Sequence, residues 1–441
     1  MALTPVPPIH RRFPLDMQRE FDPASLQREI LAHAMPGEWI VGLSGGSDSV
    51  ALLHALTHCT LPHGTDLRCV HVHHGLHPLA DHWARFCAAF CRRLDVPCRV
   101  VRVEAAASRG ESPEAAARAV RYAALGELLP VGGTLLTAHH RDDQAETFLL
   151  QALRGAGPNG LSAMPACTRF HEGWHTRPLL RFERAALEHY AREAGLDWVD
   201  DPANRETGYD RNYLRHVVMP LIRARWPSAS RTLARAAMLQ AEGTAVLEEV
   251  GRADLSIVAD PRDGTLSVSG LLRLSRQRRS RVLRLWIQGH GLPPPTWGQM
   301  QRIDEDVLGV ASDATPRVHW PGAEVRRYRD ALFALEPLPA HDPGLALVWD
   351  TLHPLQIPHL GLVLTREMLT AEGIDLPEPG QAVEVRFRQG GESCSPAGRG
   401  HRHRLKKLFQ EAGVPPWLRD RIPLIYRDGK ITAVVGYWAC E

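Results

Sequence analysis

Lysine is almost missing from this chain. Of 52 basic residues only Lys406, Lys407 and Lys430 are lysine; the rest are arginine. No lysine can serve catalysis in the first 405 residues, and any cation near a site there must be arginine or histidine. A Walker A loop, which closes on Gly-Lys-Ser/Thr, is excluded by the same absence. A genome rich in G and C favours arginine codons, which accounts for the ratio itself. Long apolar runs are also lacking: none approaches the roughly 18 residues of a membrane helix. Residues 1–15 hold four prolines and no apolar core, so no secretory signal is expected. The eight cysteines show no CxxC spacing, which reads as free thiols in a reducing cytoplasm. Net charge is only +2, yet it is uneven. Between residues 271 and 302 stand seven arginines and no acid, and from 391 to 441 nine Lys/Arg face five Asp/Glu. Such local basic surfaces suit a polyanionic partner.

What is present is an alternation. Short apolar runs at 39–43, 67–72, 98–103 and 134–138 read as strands, and 49–58, 79–94, 113–129 and 142–154 as helices. Repeated β-α units imply a parallel sheet covered on both faces, with ligands outside the carboxyl ends of the strands. Three segments follow strands and should converge at that edge: Ser44-Gly45-Gly46-Ser47-Asp48-Ser49, His73-His74-Gly75 and His139-His140. After residue 200 the pattern turns helical, strongest at 230–250 and 272–288. Prolines 293–295 and the stretch 336–343 look like linkers. Strand-like runs at 361–365, 382–388 and 431–438, with a helix at 405–412, predict a small α+β C-terminal domain. The length of 441 residues suits about two to three domains, placed here at 20–218, 219–335 and 360–441.

The Ser44–Ser49 turn carries two adjacent glycines and three hydroxyls at a helix start, an anion cradle with the helix dipole behind it. It resembles the pyrophosphate-binding loop of the N-type ATP pyrophosphatases. Asp143 and Glu146 are three apart, so one helix face carries both carboxylates near its start. They suit a cation or an ammonium group, or Asp142 and Asp143 simply cap the helix. Glu114 and Arg118 at i and i+4 read as a surface ion pair, or Arg118 holds a phosphate. His71 and His73 share a strand face without completing a zinc spacing. Arg211 and Arg215 lie one helical turn apart, as a solvated stripe or as RNA or phosphate contacts. The arginines at 273–284 carry the same two readings.

Taken in order, these motifs resemble the tRNA(Ile)-lysidine synthetase family: SGGSDS at 44–49, VHVHHGL at 70–76, EAAARAVRY at 114–122, HHRDDQAET at 139–147, RGAGPNGLSAM at 154–164, RPLL at 177–180, DPANRETGYDRNYLR at 201–215 and LKKLFQEAGVPPWLRDRIPLI at 405–425. The resemblance implies a PP-loop catalytic domain of the adenine nucleotide α-hydrolase type, a helical middle domain and a small C-terminal domain, the last two binding tRNA. It implies ATP-dependent adenylation of the wobble cytidine of tRNA(Ile) with a CAU anticodon. The ε-amine of L-lysine then attacks, leaving lysidine and releasing AMP, the pyrophosphate having left earlier. Carried over residue by residue, Ser44, Gly45, Gly46, Ser47, Asp48 and Ser49 would hold ATP, with Asp48 the Mg2+ ligand. Asp143 and Glu146 would grip lysine, His139 or His140 would line the reacting base, and Arg211 would steady the adenylate's phosphate. Arg118, Arg215, Arg279, Lys406 and Lys407 would contact tRNA. A cytoplasmic enzyme without membrane or obligate protein partner is implied. The sequence departs from the family at His73, where Asn is usual, and at His77, where Arg is common. A thiolation enzyme is the rival within the superfamily, but its cysteine pair is represented only by Cys87 and Cys91 at CxxxC. A tRNA-binding protein without catalysis is the rival outside it, and ATP–pyrophosphate exchange separates the two.

Overall fold

The computed structural model describes residues 20–35, 37–75, 77–104, 113–310, 314–398 and 401–440, with residues 113–115 as backbone alone. Packing divides them into two units, one ending at Leu247 and the other beginning at Glu248.

The first unit is built on one sheet. Its strands are β1 (Glu38–Gly42), β2 (Asp66–His73), β3 (Cys98–Arg102), β4 (Thr134–Leu136), β5 (Cys167–Phe170) and β6 (Gly173–Thr176), in the order β3-β2-β1-β4-β6-β5. All neighbours pair in parallel except β5, which runs antiparallel to β6. Around them lie α1 (Pro23–His33), α2 (Ser47–Thr57), α3 (Ala80–Arg93), α4 (Pro113–Glu127), α5 (Arg141–Leu153), α6 (Pro158–Leu161) and α7 (Arg184–Glu193). Strand β1 explains why its run is apolar throughout. Trp39 and Val41 enter a core with Leu26, Leu52, Phe90 and Leu187, whereas Ile40 enters a second core with Val70, Leu125 and Leu135. Both faces are covered, so neither parity of residue can be polar. Each fully buried aliphatic side chain contributes about 1.5–3 kcal/mol. From β1 the chain steps outward to β2, and it later returns to add β4 on the other flank. That reversal opens a crevice at the carboxyl ends of β1 and β4.

Beyond the sheet, α8 (Asp210–Tyr213), a π-helical turn (Leu214–Val218) and α9 (Met219–Arg225) follow one another without a break, and the unit boundary falls within α10 (Ala229–Val258). No helix of the described residues is long and apolar enough to cross a membrane.

The second unit holds β7 (Leu266–Ser267), α11 (Val268–Arg273), α12 (Arg276–Gly289), α13 (Trp297–Arg302), β8 (Arg317–Trp320), β9 (Ala323–Tyr328) and β10 (Ala331–Leu335), with an antiparallel sheet in the order β7-β10-β9-β8. The sequence pattern predicts a mainly helical domain here, and the structure adds this four-stranded sheet to its helices. Prolines 293–295, expected as a linker, are tied to this unit through their carbonyls, with Pro293 and Pro294 exposed and Pro295 buried. Trp320 donates its indole N–H to the Pro293 carbonyl at 2.9 Å, and Arg284 reaches the Pro295 carbonyl at 3.1 Å. The chain continues through β11 (Ala346–Trp349), β12 (Leu355–Ile357), β13 (Leu362–Leu364), α14 (Arg366–Ala371), β14 (Val383–Arg386), β15 (Ser393–Cys394), β16 (His403–Arg404), α15 (Leu405–Glu411), α16 (Pro416–Arg419), β17 (Leu424–Arg427), β18 (Lys430–Val434) and β19 (Trp438–Ala439). A five-stranded antiparallel sheet, β11-β14-β17-β18-β19, organises this part.

One expectation is corrected here. Cys394 and Cys440 form a disulfide across 46 residues of sequence. The end of the chain returns antiparallel to residues 394–397, where Ala397 donates its N–H to the Ala439 carbonyl at 3.0 Å. No spacing rule reveals a pair brought together only by that return. The remaining cysteines, Cys59, Cys69, Cys87, Cys91, Cys98 and Cys167, are free thiols.

Candidate active site

The glycine-rich turn sits where β1 gives way to α2, which starts at Ser47, two residues earlier than the pattern suggested. Gly45 has φ +89°, and a Cβ there would lie 3.1 Å from Cys87 Sγ and 3.4 Å from Val199 Cγ2. Only glycine fits both demands. Inside the turn the hydroxyls tie the backbone down. Gly45 donates its N–H to Ser49 Oγ at 3.1 Å, Ser49 Oγ donates to the Gly46 carbonyl at 3.0 Å, and Ser44 Oγ lies 3.0 Å from Ser49 Oγ. Gly46 caps α2 without any side-chain acceptor; Ser49 gives its N–H to the Gly46 carbonyl at 3.1 Å, which leaves the N–H groups of Ser47 and Asp48 to face an anion.

This turn opens into a cavity of about 700 Å³. Ser44, Gly46, Asp48 and Ser49 line it together with His73, His74, Arg118, Tyr122, Thr137 and His139. The three expected segments therefore converge. Asp48 Oδ1 is buried and has no hydrogen-bond partner, while its Oδ2 lies 3.5 Å from His140 Nε2. The same Nε2 is 3.4 Å from Asp143 Oδ2. His140 is 2% exposed. Burial alone would lower its pKa, but the carboxylates of Asp143, Asp48 and Asp142 outweigh that and raise it to about 9. At that pKa the ring is an imidazolium clamped between the phosphate-loop carboxylate and helix α5. The Asp143 backbone N–H stands 3.4 Å from Nδ1, too long to hold that nitrogen as an acceptor, and Nδ1 also faces Asp142 Oδ2 at 3.8 Å.

Asp143 answers to both sequence readings. It caps α5 by accepting the His140 backbone N–H at 3.0 Å, and it joins a buried ion cluster. Arg211 Nη2 lies 3.0 Å and Arg215 Nη2 2.7 Å from its Oδ1. Glu146 accepts from Arg215 Nε at 2.8 Å and from Arg211 Nε at 3.3 Å. Burial pushes the Asp143 pKa up, yet His140 and the two arginines hold it far below the usual carboxylate range. Arg215, on the π-helical turn, has its pKa raised; burial opposes this, and Glu146 and Asp143 prevail. Asp48, Asp143 and Glu146 are thus matched by His140, Arg211 and Arg215, and the cluster is internally neutral.

The two neighbouring histidines differ in kind. His139 is held well below its ordinary pKa by burial, so it is neutral. Its Nδ1 lies 2.8 Å from Thr137 Oγ1, which in turn is 2.8 Å from His175 Nε2. His71 Nδ1 lies 2.9 Å from the Leu43 carbonyl, and His73 Nε2 lies 3.2 Å from Asp81 Oδ1. No group of three or more His, Cys, Asp or Glu side chains able to hold a metal occurs among the described residues. Arg118 lines the cavity with its guanidinium 4.9 Å from the Tyr122 ring centre. Leu76 and the side chain of Glu114 lie outside the described residues.

Known families divide the chain in the same order. A PP-loop domain matches residues 22–222, the TilS substrate binding domain 266–333, and the TilS substrate C-terminal domain 383–441. A tRNA(Ile)-lysidine synthase of Coxiella burnetii is 42% identical over 421 residues, 96% of this chain and 93% of that one. Those of Methylococcus capsulatus, 41% identical over 90% of each chain, and of Alkalilimnicola ehrlichii, 42% identical over 95% of this chain and 93% of that one, are similarly near. The chain belongs to the tRNA(Ile)-lysidine synthase family.

Membership makes it an ATP-using PP-loop ligase, and the residues expected to meet tRNA differ in their settings. Lys406 and Lys407 stand exposed on α15, beside exposed Arg402 and Arg404. Arg279 is different: its side chain is 13% exposed, and Nε lies 2.6 Å from Asp304 Oδ1. Its neighbours are also matched, Arg278 by Asp254 and Arg281 by Glu248. The basic run is thus largely neutralised by acids that stand in α10 and beyond α13. In the position where this family usually has Asn, His73 ends β2 beside Asp81 and Arg102, the latter 3.4 Å away. At 77, where Arg is common, His77 stacks on Trp83 with ring centres 4.8 Å apart. Sequence reasoning missed Thr137, His175 and Arg177 as neighbours of His139, although Arg177 opens the RPLL motif.

Proposed function

We propose that this chain joins L-lysine to the wobble cytidine of tRNA(Ile) bearing a CAU anticodon, spending ATP to adenylate the cytosine carbonyl oxygen first. The observation that carries the reading is the ionic chain from the phosphate turn to α5: Asp48 to His140 at 3.5 Å and His140 to Asp143 at 3.4 Å. It couples a loop suited to a triphosphate with the acidic pair suited to an amine. Residues 20–218 act as the catalytic domain, and 219–335 and 360–441 hold the tRNA, in the cytoplasm where both substrates are found.

In this reading Ser44, Gly45, Gly46, Ser47 and Ser49 hold the β- and γ-phosphates through hydroxyls and free N–H groups. A hard cation suits the orphaned Asp48 Oδ1, so Asp48 would hold Mg2+, which would neutralise phosphate charge. Adenylation converts a poor leaving oxygen into a good one, and the attacking ε-amine must be neutral at that moment. Asp143 and Glu146 bind lysine, but here both are occupied by Arg211 and Arg215. Lysine therefore gains its site as the arginines turn away, and a phosphate is the group that draws a guanidinium. Arg211 then steadies the adenylate's phosphate, while Arg118 and Arg215 meet the tRNA.

The test supplies purified protein with labelled lysine, ATP and unmodified transcripts. Label should enter the isoleucine transcript with its CAU anticodon, one AMP and one pyrophosphate appearing per lysine, and Asp48→Ala should abolish it. Equal labelling of initiator methionine tRNA would refute the specificity. Pyrophosphate release without lysine transfer would refute the ligase assignment.

A further inference from the structure

A line of hydrogen bonds behind the cavity has a direction that its end group dictates. It starts at Arg177, whose Nη1 donates to the Pro165 carbonyl at 2.8 Å and whose Nη2 lies 3.0 Å from His175 Nδ1. A guanidinium has no acceptor, so His175 Nδ1 must accept. His175 is 2% exposed, packed against Tyr122 and Phe170 with ring centres 5.5 and 5.7 Å away. Burial, then Arg177 and Arg118, depress its pKa to about 3, so the ring is neutral with its one proton on Nε2. That N–H faces Thr137 Oγ1 at 2.8 Å. The hydroxyl, having accepted there, has one proton to give, and the partner left is His139 Nδ1 at 2.8 Å. His139 Nδ1 therefore accepts, and its ring proton resides on Nε2. The His139 ring lines the cavity, and among the described residues its hydrogen bond is the one at Nδ1, which leaves Nε2 to a ligand.

We propose that Arg177, His175 and Thr137 are positioning residues that lock His139 as the Nε2–H tautomer, making it a fixed hydrogen-bond donor to an acceptor atom of the pyrimidine and barring it from acting as a general base. This rests on the function proposed above and assigns the histidine roles within it. His140 is the cationic clamp, and His139 is the neutral donor. A donor aimed at a base's acceptor edge favours a ring that accepts there and leaves an unmade bond against one that does not. None of the three positioning residues needs to touch the substrate. They act by fixing which nitrogen carries the proton, a choice the neighbouring hydrogen bond sets.

The experiment uses the full-length protein with Thr137→Val, which removes the bridging hydroxyl at nearly constant volume, and Thr137→Ser, which restores it. In histidine-15N NMR spectra at neutral pH, the ring signals missing from His139→Gln identify His139. The wild type should show the Nε2–H pattern, and Thr137→Val a mixture of tautomers. The kcat for tRNA-dependent ATP–pyrophosphate exchange should fall roughly tenfold in Thr137→Val, the worth of one hydrogen bond in a transition state. KM for ATP should stay within about twofold, and Thr137→Ser should recover most of the rate. An Nδ1–H or imidazolium pattern in the wild type overturns the proposal, as does an unchanged kcat in Thr137→Val. A loss that Thr137→Ser fails to recover also overturns it. If the wild type makes no lysidine, the proposed function fails, while the tautomer still decides the relay.

Discussion

Raising the pH through 9 should release the clamp between the phosphate turn and α5. His140 has its pKa raised to about 9, burial opposing and Asp143, Asp48 and Asp142 prevailing. In an unfolded chain the group titrates near ~6.5. A folded pKa above the unfolded one gives stabilisation that is complete below ~6.5 and disappears as pH climbs through the folded value. About 2.5 pKa units at about 1.4 kcal/mol each gives about 3 kcal/mol. The full conversion is warranted because the ring is 2% exposed and solvent screens it little. Replacing the residue by His140→Gln removes the charge and keeps a donor. Native-state hydrogen exchange of the β1 amides reads the opening free energy of this unit alone, apart from the second unit's unfolding. The gap between wild type and His140→Gln should be about 3 kcal/mol at about pH 6 and shrink below about 1 by about pH 9.5. A gap that stays constant over that range refutes a charged His140.

Gly45→Ala forces a side chain onto a φ of +89° and into Cys87 and Val199. It should cost about 1–3 kcal/mol and weaken ATP binding; isothermal titration with wild-type affinity would contradict the close approach. For Cys440→Ser, opening a loop of 46 residues should cost about 4 kcal/mol by the chain-entropy argument. It should lower the unfolding midpoint of the second unit in oxidising buffer, and a reductant should bring the wild type to the same midpoint. If Lys406→Ala and Lys407→Ala each remove one phosphate contact, each should flatten the slope of log K against log salt for tRNA by roughly 0.7–0.9. Filter binding across a salt series measures this, and an unchanged slope removes both residues from the interface.

The first unit was legible because its signals are local. β1 reads as an unbroken apolar run because both faces of a parallel strand are buried, and Gly45 sits in a turn where a positive φ and close neighbours disfavour any Cβ. Residues as far apart as Ser44 and His139 could then be placed at one edge from strand order alone. β7 to β10 escaped for the opposite reason. They are two to six residues long, too short for alternation to stand out beside strong helices, and they are defined by pairing across turns. Cys394 and Cys440 escaped likewise, since only the return of the chain end brings them together.

The acidic pair was found by sequence, but its partners were not, and electrostatics explains why. Asp143 and Glu146 sit on one helix face because three residues separate them. Arg211 and Arg215 sit on one face because four do. Each spacing is visible alone, and each face suits an external ligand of opposite charge. What sequence cannot reveal is that the two faces meet, 65 to 72 residues apart along the chain. Buried carboxylates facing no cation would cost several kcal/mol apiece, so without lysine the protein supplies its own counter-ions. The arginine run at 273–284 follows the same logic: Arg278, Arg279 and Arg281 look like an RNA-binding stripe until Asp254, Asp304 and Glu248 are seen beside them. A like-charged run in sequence is evidence for a polyanion only where the fold leaves it unmatched. By that criterion Arg402, Arg404 and Lys406, exposed in the C-terminal domain, rather than α12, are where the tRNA backbone should be sought, with Lys407 beside them only loosely matched by Glu411 at 4.0 Å.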